Sequence, residues 1–107
     1  LDFAAKMIPG NTVRHDYVSN MLAETYYKLK KKKKGDAIME AVAKDCVEYL
    51  EWYYTLTVAQ RNSVNNRIGH NLAVLNQILR ICDQEKQKNI LDKYLPVYMK
   101  YTKNVEL

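Results

Sequence analysis

The chain has 107 residues, 48% of them hydrophobic and 27% charged, which suffices for one core and is too little for two. No apolar run reaches the roughly 18 residues of a membrane span, and three glycines and two prolines are too few for the turns of a many-stranded β fold. The 17 Lys and Arg outnumber the 12 Asp and Glu by five, but six of those lysines lie between Lys28 and Lys34; without them 11 cations face 12 anions, so a near-neutral body carries one cationic knob.

In chain order, a short amphipathic opening with Phe3, Met7 and Ile8 ends at Pro9-Gly10. Its lack of a basic and apolar leader sets the expectation of no secretory signal and of a cytoplasmic setting. Asn11 or Thr12 then caps a first helix expected to reach about Lys33, with Val18, Leu22, Thr25 and Leu29 on its inner face. Its last lysines would complement the negative end of the helix dipole, and Gly35 would supply a left-handed cap. A second helix, capped by Asp36 and running to about Leu56, carries Met39, Val42, Cys46, Tyr49, Tyr53 and Leu56 at intervals of three and four. Glu40, Lys44, Glu48 and Glu51 line its other side.

Thr57 and Gln60 form a capping-box pattern for a third helix, strongest from Ile68 to Cys82, where Ile68, Leu72, Leu75, Leu79 and Cys82 make a stripe widened by Val74, Ile78 and Ile81. The Asn-rich stretch 62–66 reads as a loop or frayed turn. Asp83 would cap a fourth helix with Ile90, Tyr94, Val97 and Tyr101 inward, kinked or broken near Leu95 by Pro96. No internal repeat is visible. The expectation is an all-α, antiparallel up-down four-helix bundle with a short N-terminal helical segment and a kinked C-terminal helix. It forms one domain over residues 1–107, which a longer chain can contain. Cys46 and Cys82 fall on apolar stripes, as buried free thiols of a reducing compartment do.

Most enzyme signatures are missing. His15, Cys46, His70 and Cys82 lack zinc-ligand spacing, Glu48 and Glu51 form one carboxylate pair where a magnesium diphosphatase needs two, and there is neither a Glu-x-x-His pair nor a glycine-rich phosphate loop. No cofactor or metal is expected, and His70 reads as a surface histidine. Arg14-His15-Asp16-Tyr17-Val18 resembles the Arg-His-Asp-Tyr segment on the phosphoacceptor helix of quorum-sensing and sporulation-type histidine kinases and phosphotransferases. That resemblance implies a helical hairpin in which His15 accepts a phosphoryl group and Asp16 assists. The family's Asn four residues after the His is Ser19 here, with Asn20 one step late.

Binding is the leading class. Lys28, Lys30, Lys31, Lys32, Lys33 and Lys34 circle a helix end and must project into water; joined by Arg61 and Arg67 they would form a basic surface of eight groups for phosphates. Nucleic acid is the first expected partner, another polyanion the next. Nine tyrosines fill a core with their hydroxyls at its rim. Tyr27, Tyr54 and Tyr98 are the ones least needed inside and the candidates for a surface that meets a protein partner or a second copy. The reading is therefore a non-enzymatic interaction module presenting a lysine-rich turn, with a protein-protein scaffold subunit and a His15 phosphotransfer hairpin as its alternatives.

Overall fold

A computed structural model describes residues 16–63 and 68–103 of the protein. Its helices are α1 (Asp16–Lys28), α2 (Lys32–Thr55), α3 (Val58–Asn62), α4 (Ile68–Gln84) and α5 (Lys88–Lys103), and no strand occurs among the described residues. The short opening segment, Asn11 and Thr12 lie outside the described residues.

Side-chain pairs set the helix directions. Tyr17 meets the His70 ring edge-on at 5.5 Å, Asn20 donates to Gln77 at 2.8 Å, and Gln84 donates to Glu24 at 3.2 Å, so α1 and α4 run the same way. Glu40 accepts from Tyr94 at 2.8 Å and Tyr54 stacks on Tyr101 at 5.6 Å, so α2 and α5 also run together. The α1–α2 and α4–α5 turns consequently share one end of the molecule. α2 and α4 form the centre, each packed against both α1 and α5.

The stripes expected on α2 and α4 are buried in full, from Met39 to Leu56 and from Ile68 to Cys82, and both cysteines lie in the interior outside any disulfide. Burial, together with the carboxylates of Asp36 and Glu40, pushes the Cys82 thiol up to about 12. The core has two parts. One, below the shared turns, gathers Ala23, Tyr27, Met39, Val42, Cys46, Ile78, Cys82, Ile90 and Tyr94; the other gathers Tyr49, Leu50, Tyr53, Ile68, Leu72 and Tyr101.

Several expectations are corrected. The first helix stops at Lys28 rather than near Lys33, and the second starts at Lys32 rather than at an Asp36 cap. Gly35 does not cap α1: it is buried in the first turn of α2, where the Tyr27 ring lies so close that an added Cβ would sit 2.6 Å from Cε1. α1 is turned over, since Val18, Leu22, Thr25 and Leu29 face solvent while Asn20, Ala23 and Tyr27 pack inward. α5 passes through Pro96 without a break. Pro96 and Asp92 are both exposed, so water can serve the Asp92 carbonyl that loses its helical donor. Asp83, expected as a cap, lies inside α4; the Thr57–Gln60 capping box does form, with bonds of 2.9 and 3.2 Å, but it opens the five-residue α3.

The two described glycines test this packing in opposite directions. Gly35→Ala should lower unfolding stability by about 2 kcal/mol, because the overpacking against a buried ring exceeds the helix-propensity gain of up to about 1 kcal/mol. Gly69→Ala, with nothing within 4 Å of the new methyl group, should raise it by about 0.5–1 kcal/mol. Urea denaturation of the two variants reads both signs.

Candidate anion-binding turn

Three residues, Leu29 to Lys31, join α1 to α2. Lys30 takes φ 64, and the amides of Lys30 and Lys31 donate to the carbonyls of Tyr27 (3.0 Å) and Tyr26 (2.8 Å), the paired bonds of a Schellman ending. Glycine is the usual residue at that left-handed position, and a side chain there costs about 1 kcal/mol. Lys31 occupies the N-cap of α2 without a side-chain hydrogen bond, and the first turn of α2 holds Lys32, Lys33 and Lys34 and no acid. The dipole benefit expected for a lysine-rich helix C-terminus therefore does not reach these three, which sit at an N-terminus.

Below the turn lies its anchor. The Tyr27 ring rests on Gly35, and its hydroxyl donates to Asp36 at 2.7 Å. Asp36 also accepts from Lys32. Burial first, then the bond to Asp36 and the negative groups nearby, hold the Tyr27 phenol well above its ordinary range. Above the anchor, Lys28 pairs with Glu24 at 3.8 Å and Lys34 lies 5.6 Å from the centre of the Tyr26 ring. Lys30, Lys31 and Lys33 are exposed and form no ion pair with any described carboxylate. Lys30 to Lys34 line a shallow concavity of about 420 Å³.

The surface of eight groups does not assemble as expected. Arg61 is on α3, its guanidinium 5.3 Å from the ring centres of both Tyr53 and Tyr54, at the opposite end of α2. At 1.5 Å per residue it stands about 30 Å from the turn. Arg67 and His15 lie outside the described residues; Asp16 is the first residue of α1. What the sequence reading missed is the α4–α5 turn, which brings Lys86 and Lys88 to the lysine end. There Lys86 takes φ 61, and the amides of Lys86 and Gln87 repeat the same pair of bonds to Asp83 and Cys82. The common spacing of Lys30 with Lys32 and Lys86 with Lys88 was the only signal available.

The tyrosine assignments also change. Tyr27 is buried; Tyr54 is half-buried between Tyr53, Tyr101 and Arg61; Tyr98 is half-buried against both parts of the core. Each is tied up in packing, so none stands free as a stacking platform. Among the described residues no group of three or more His, Cys, Asp or Glu side chains is placed to hold a metal ion, and no helix is long and apolar enough to cross a membrane. Asn20, beside the place the phosphoacceptor resemblance gives to asparagine, is buried and bonded to Gln77. No protein-family model matches the chain, and neither a curated protein nor a solved structure matches it.

The anchor predicts an alkaline limit. Below pH of about 10 the Tyr27 phenol is protonated whether the chain is folded or not; above it the unfolded chain loses that proton and the folded one keeps it, so stability falls as pH rises. Stability measured by denaturation from pH 8 to 11 should begin to decline at about 9, where the unfolded Cys82 thiol loses its proton, and fall more steeply above about 10. Tyr27→Phe should make the decline above about 10 shallower by up to about 1.4 kcal/mol per pH unit. An unchanged slope in Tyr27→Phe would remove the anchor from the argument.

Proposed function

We propose that the protein is a non-enzymatic helical-bundle module, its four long helices running up and down, that captures a phosphate-bearing polyanion on the α1–α2 turn. A nucleic acid backbone is the simplest such ligand in solution. One observation carries the reading. Lys30, Lys31 and Lys33 stand unpaired by any described carboxylate, where a left-handed glycine and a capping Ser or Asp would make the turn more stable. Crowded ammonium groups that cost stability where they stand are explained by a ligand that neutralises them. Six lysines and no arginine on this turn act as point charges without bidentate geometry, which suits phosphates and leaves base edges unread.

The reading ties stability and binding together with opposite signs. A Lys30→Gly, Lys31→Ser double variant should melt about 5 °C or more above the parent, through relief of the left-handed lysine and a new N-cap. Its affinity for a duplex oligonucleotide should nonetheless fall, and the slope of log K against log salt should become shallower by about two. Parental affinity and slope in the stabilised variant would sink the proposal.

A further inference from the structure

The apolar side of α1 is the second unmatched feature at this end. Its residues pack inward through Asn20, Ala23 and Tyr27, leaving Tyr17 43%, Val18 66%, Met21 60%, Leu22 47% and Leu29 60% exposed. At 100° per residue these five side chains occupy an arc of about 140°, of which the Tyr17 edge meets the His70 ring of α4 and the remainder faces away from the core. Thr25 and Lys28 also fall within the arc: Thr25 turns its hydroxyl back to the Met21 carbonyl at 3.0 Å, and Lys28 carries its ammonium group sideways to Glu24 at 3.8 Å. Glu24, at the edge, is already engaged by Lys28 and Gln84. The arc runs into the lysine turn, where Leu29 sits between Lys28 and Lys30.

We propose that the outer face of α1 and the lysine turn form one docking surface for an anionic lipid membrane. α1 lies in the interfacial plane, with Val18, Met21, Leu22 and Leu29 at the acyl boundary and the ammonium groups on the headgroup phosphates. This rests on the polyanion reading of the turn and names its partner. A nucleic acid neutralises the lysines but leaves the apolar arc in water. A second copy of the chain could cover the arc, yet it leaves the ammonium groups unmatched, because its own lysine turn carries the same charge. An anionic bilayer satisfies both, and an apolar helix face beside a basic cluster supplies the two signals that peripheral attachment needs. Long lysine stems can run beside the apolar arc while their charged ends reach the phosphates.

The test sediments the full chain with vesicles of phosphatidylcholine alone and with added phosphatidylserine, alongside binding to a duplex oligonucleotide. The chain should sediment with the anionic vesicles only. A Lys30→Gln, Lys31→Gln, Lys33→Gln variant should bind those vesicles about 100-fold more weakly. A Val18→Ser, Met21→Ser, Leu22→Ser variant, altered only at exposed positions, should lose about tenfold or more on vesicles and nothing on the oligonucleotide. As a check independent of that triple variant, Met21→Trp should show fluorescence quenching by lipids brominated in the acyl chain that the parent, with Trp52 alone, does not. Vesicle binding indifferent to the serine variant, absent quenching, or a serine variant that only converts a dimer to a monomer would each overturn the membrane proposal. Lysine-dependent binding to the oligonucleotide but not to vesicles would overturn it too while leaving the polyanion reading intact. No lysine dependence on either ligand would overturn both.

Discussion

The rotational setting of α1 follows from one side chain filling the space of a missing one. The Tyr27 ring occupies the volume in which any residue but glycine at position 35 would place a Cβ. With Tyr27 held inward, Ala23 and Asn20, four and seven residues earlier, must face inward as well, and Val18, Leu22 and Leu29 must face out. The same ring brings its hydroxyl to Asp36, and Asp36 takes Lys32. The start of α2, the phase of α1 and the position of one lysine are thus coupled through a single contact between adjacent helices. The setting has a cost, since Asn20 is fully buried with its Oδ1 unpartnered while larger apolar groups stay in water.

The α4–α5 turn is an internal control for the α1–α2 turn. Both have three residues, a left-handed lysine and the same two backbone bonds. At the positions equivalent to Lys31, Lys33 and Lys34, the second turn has Gln87, Asn89 and Ile90, and Asp83, Glu85 and Asp92 surround its two lysines in sequence. The geometry therefore makes no demand for a run of lysines. Lysine at the left-handed position is shared, but the unbalanced charge belongs to the first turn alone, which separates what the fold requires from what the run of lysines adds.

Long stripes of large apolar residues were legible: every residue assigned to the inner faces of the second helix and of the Ile68–Cys82 segment is buried. Ile90, Tyr94 and Tyr101 of the fourth helix are buried as expected too, and the Thr57–Gln60 capping box forms. The expectations that failed did so where a local signal competed with a tertiary contact. Val18, Leu22, Thr25 and Leu29 form a good helical stripe, and periodicity alone had no means of weighing it against Tyr27 on Gly35 or Asn20 on Gln77, 57 residues away. Gly35 looked like a cap because glycine at the end of a lysine-rich helix usually is one; its small size, rather than its conformational freedom, is what the fold uses here. The knob was visible as composition and as a turn between the first two helices, but the point of the break was not, because the helix end falls within the lysine tract and splits it between two helices. Lys86 and Lys88 were invisible as members of the same end, since pairing the two turns depends on helix directions that only contacts set.

The two ends of the molecule treat their cations differently, and this bears on what the lysines meet. At the far end the single described arginine of α3 is spent on the faces of Tyr53 and Tyr54, a fixed arrangement that suits a planar guanidinium. In the tract around the α1–α2 turn the six cations are all lysine, each a hydrated point charge on a flexible stem, and Lys86 and Lys88 add two more at the same end. A ligand read by position, with carboxylates or phosphates at set spacing, favours the rigid fork of arginine. A ligand whose charges are spread over a surface and free to rearrange asks only for density and reach, and long flexible stems lose little by meeting it. An all-lysine knob beside an unshielded apolar helix face fits the second kind of partner better than the first.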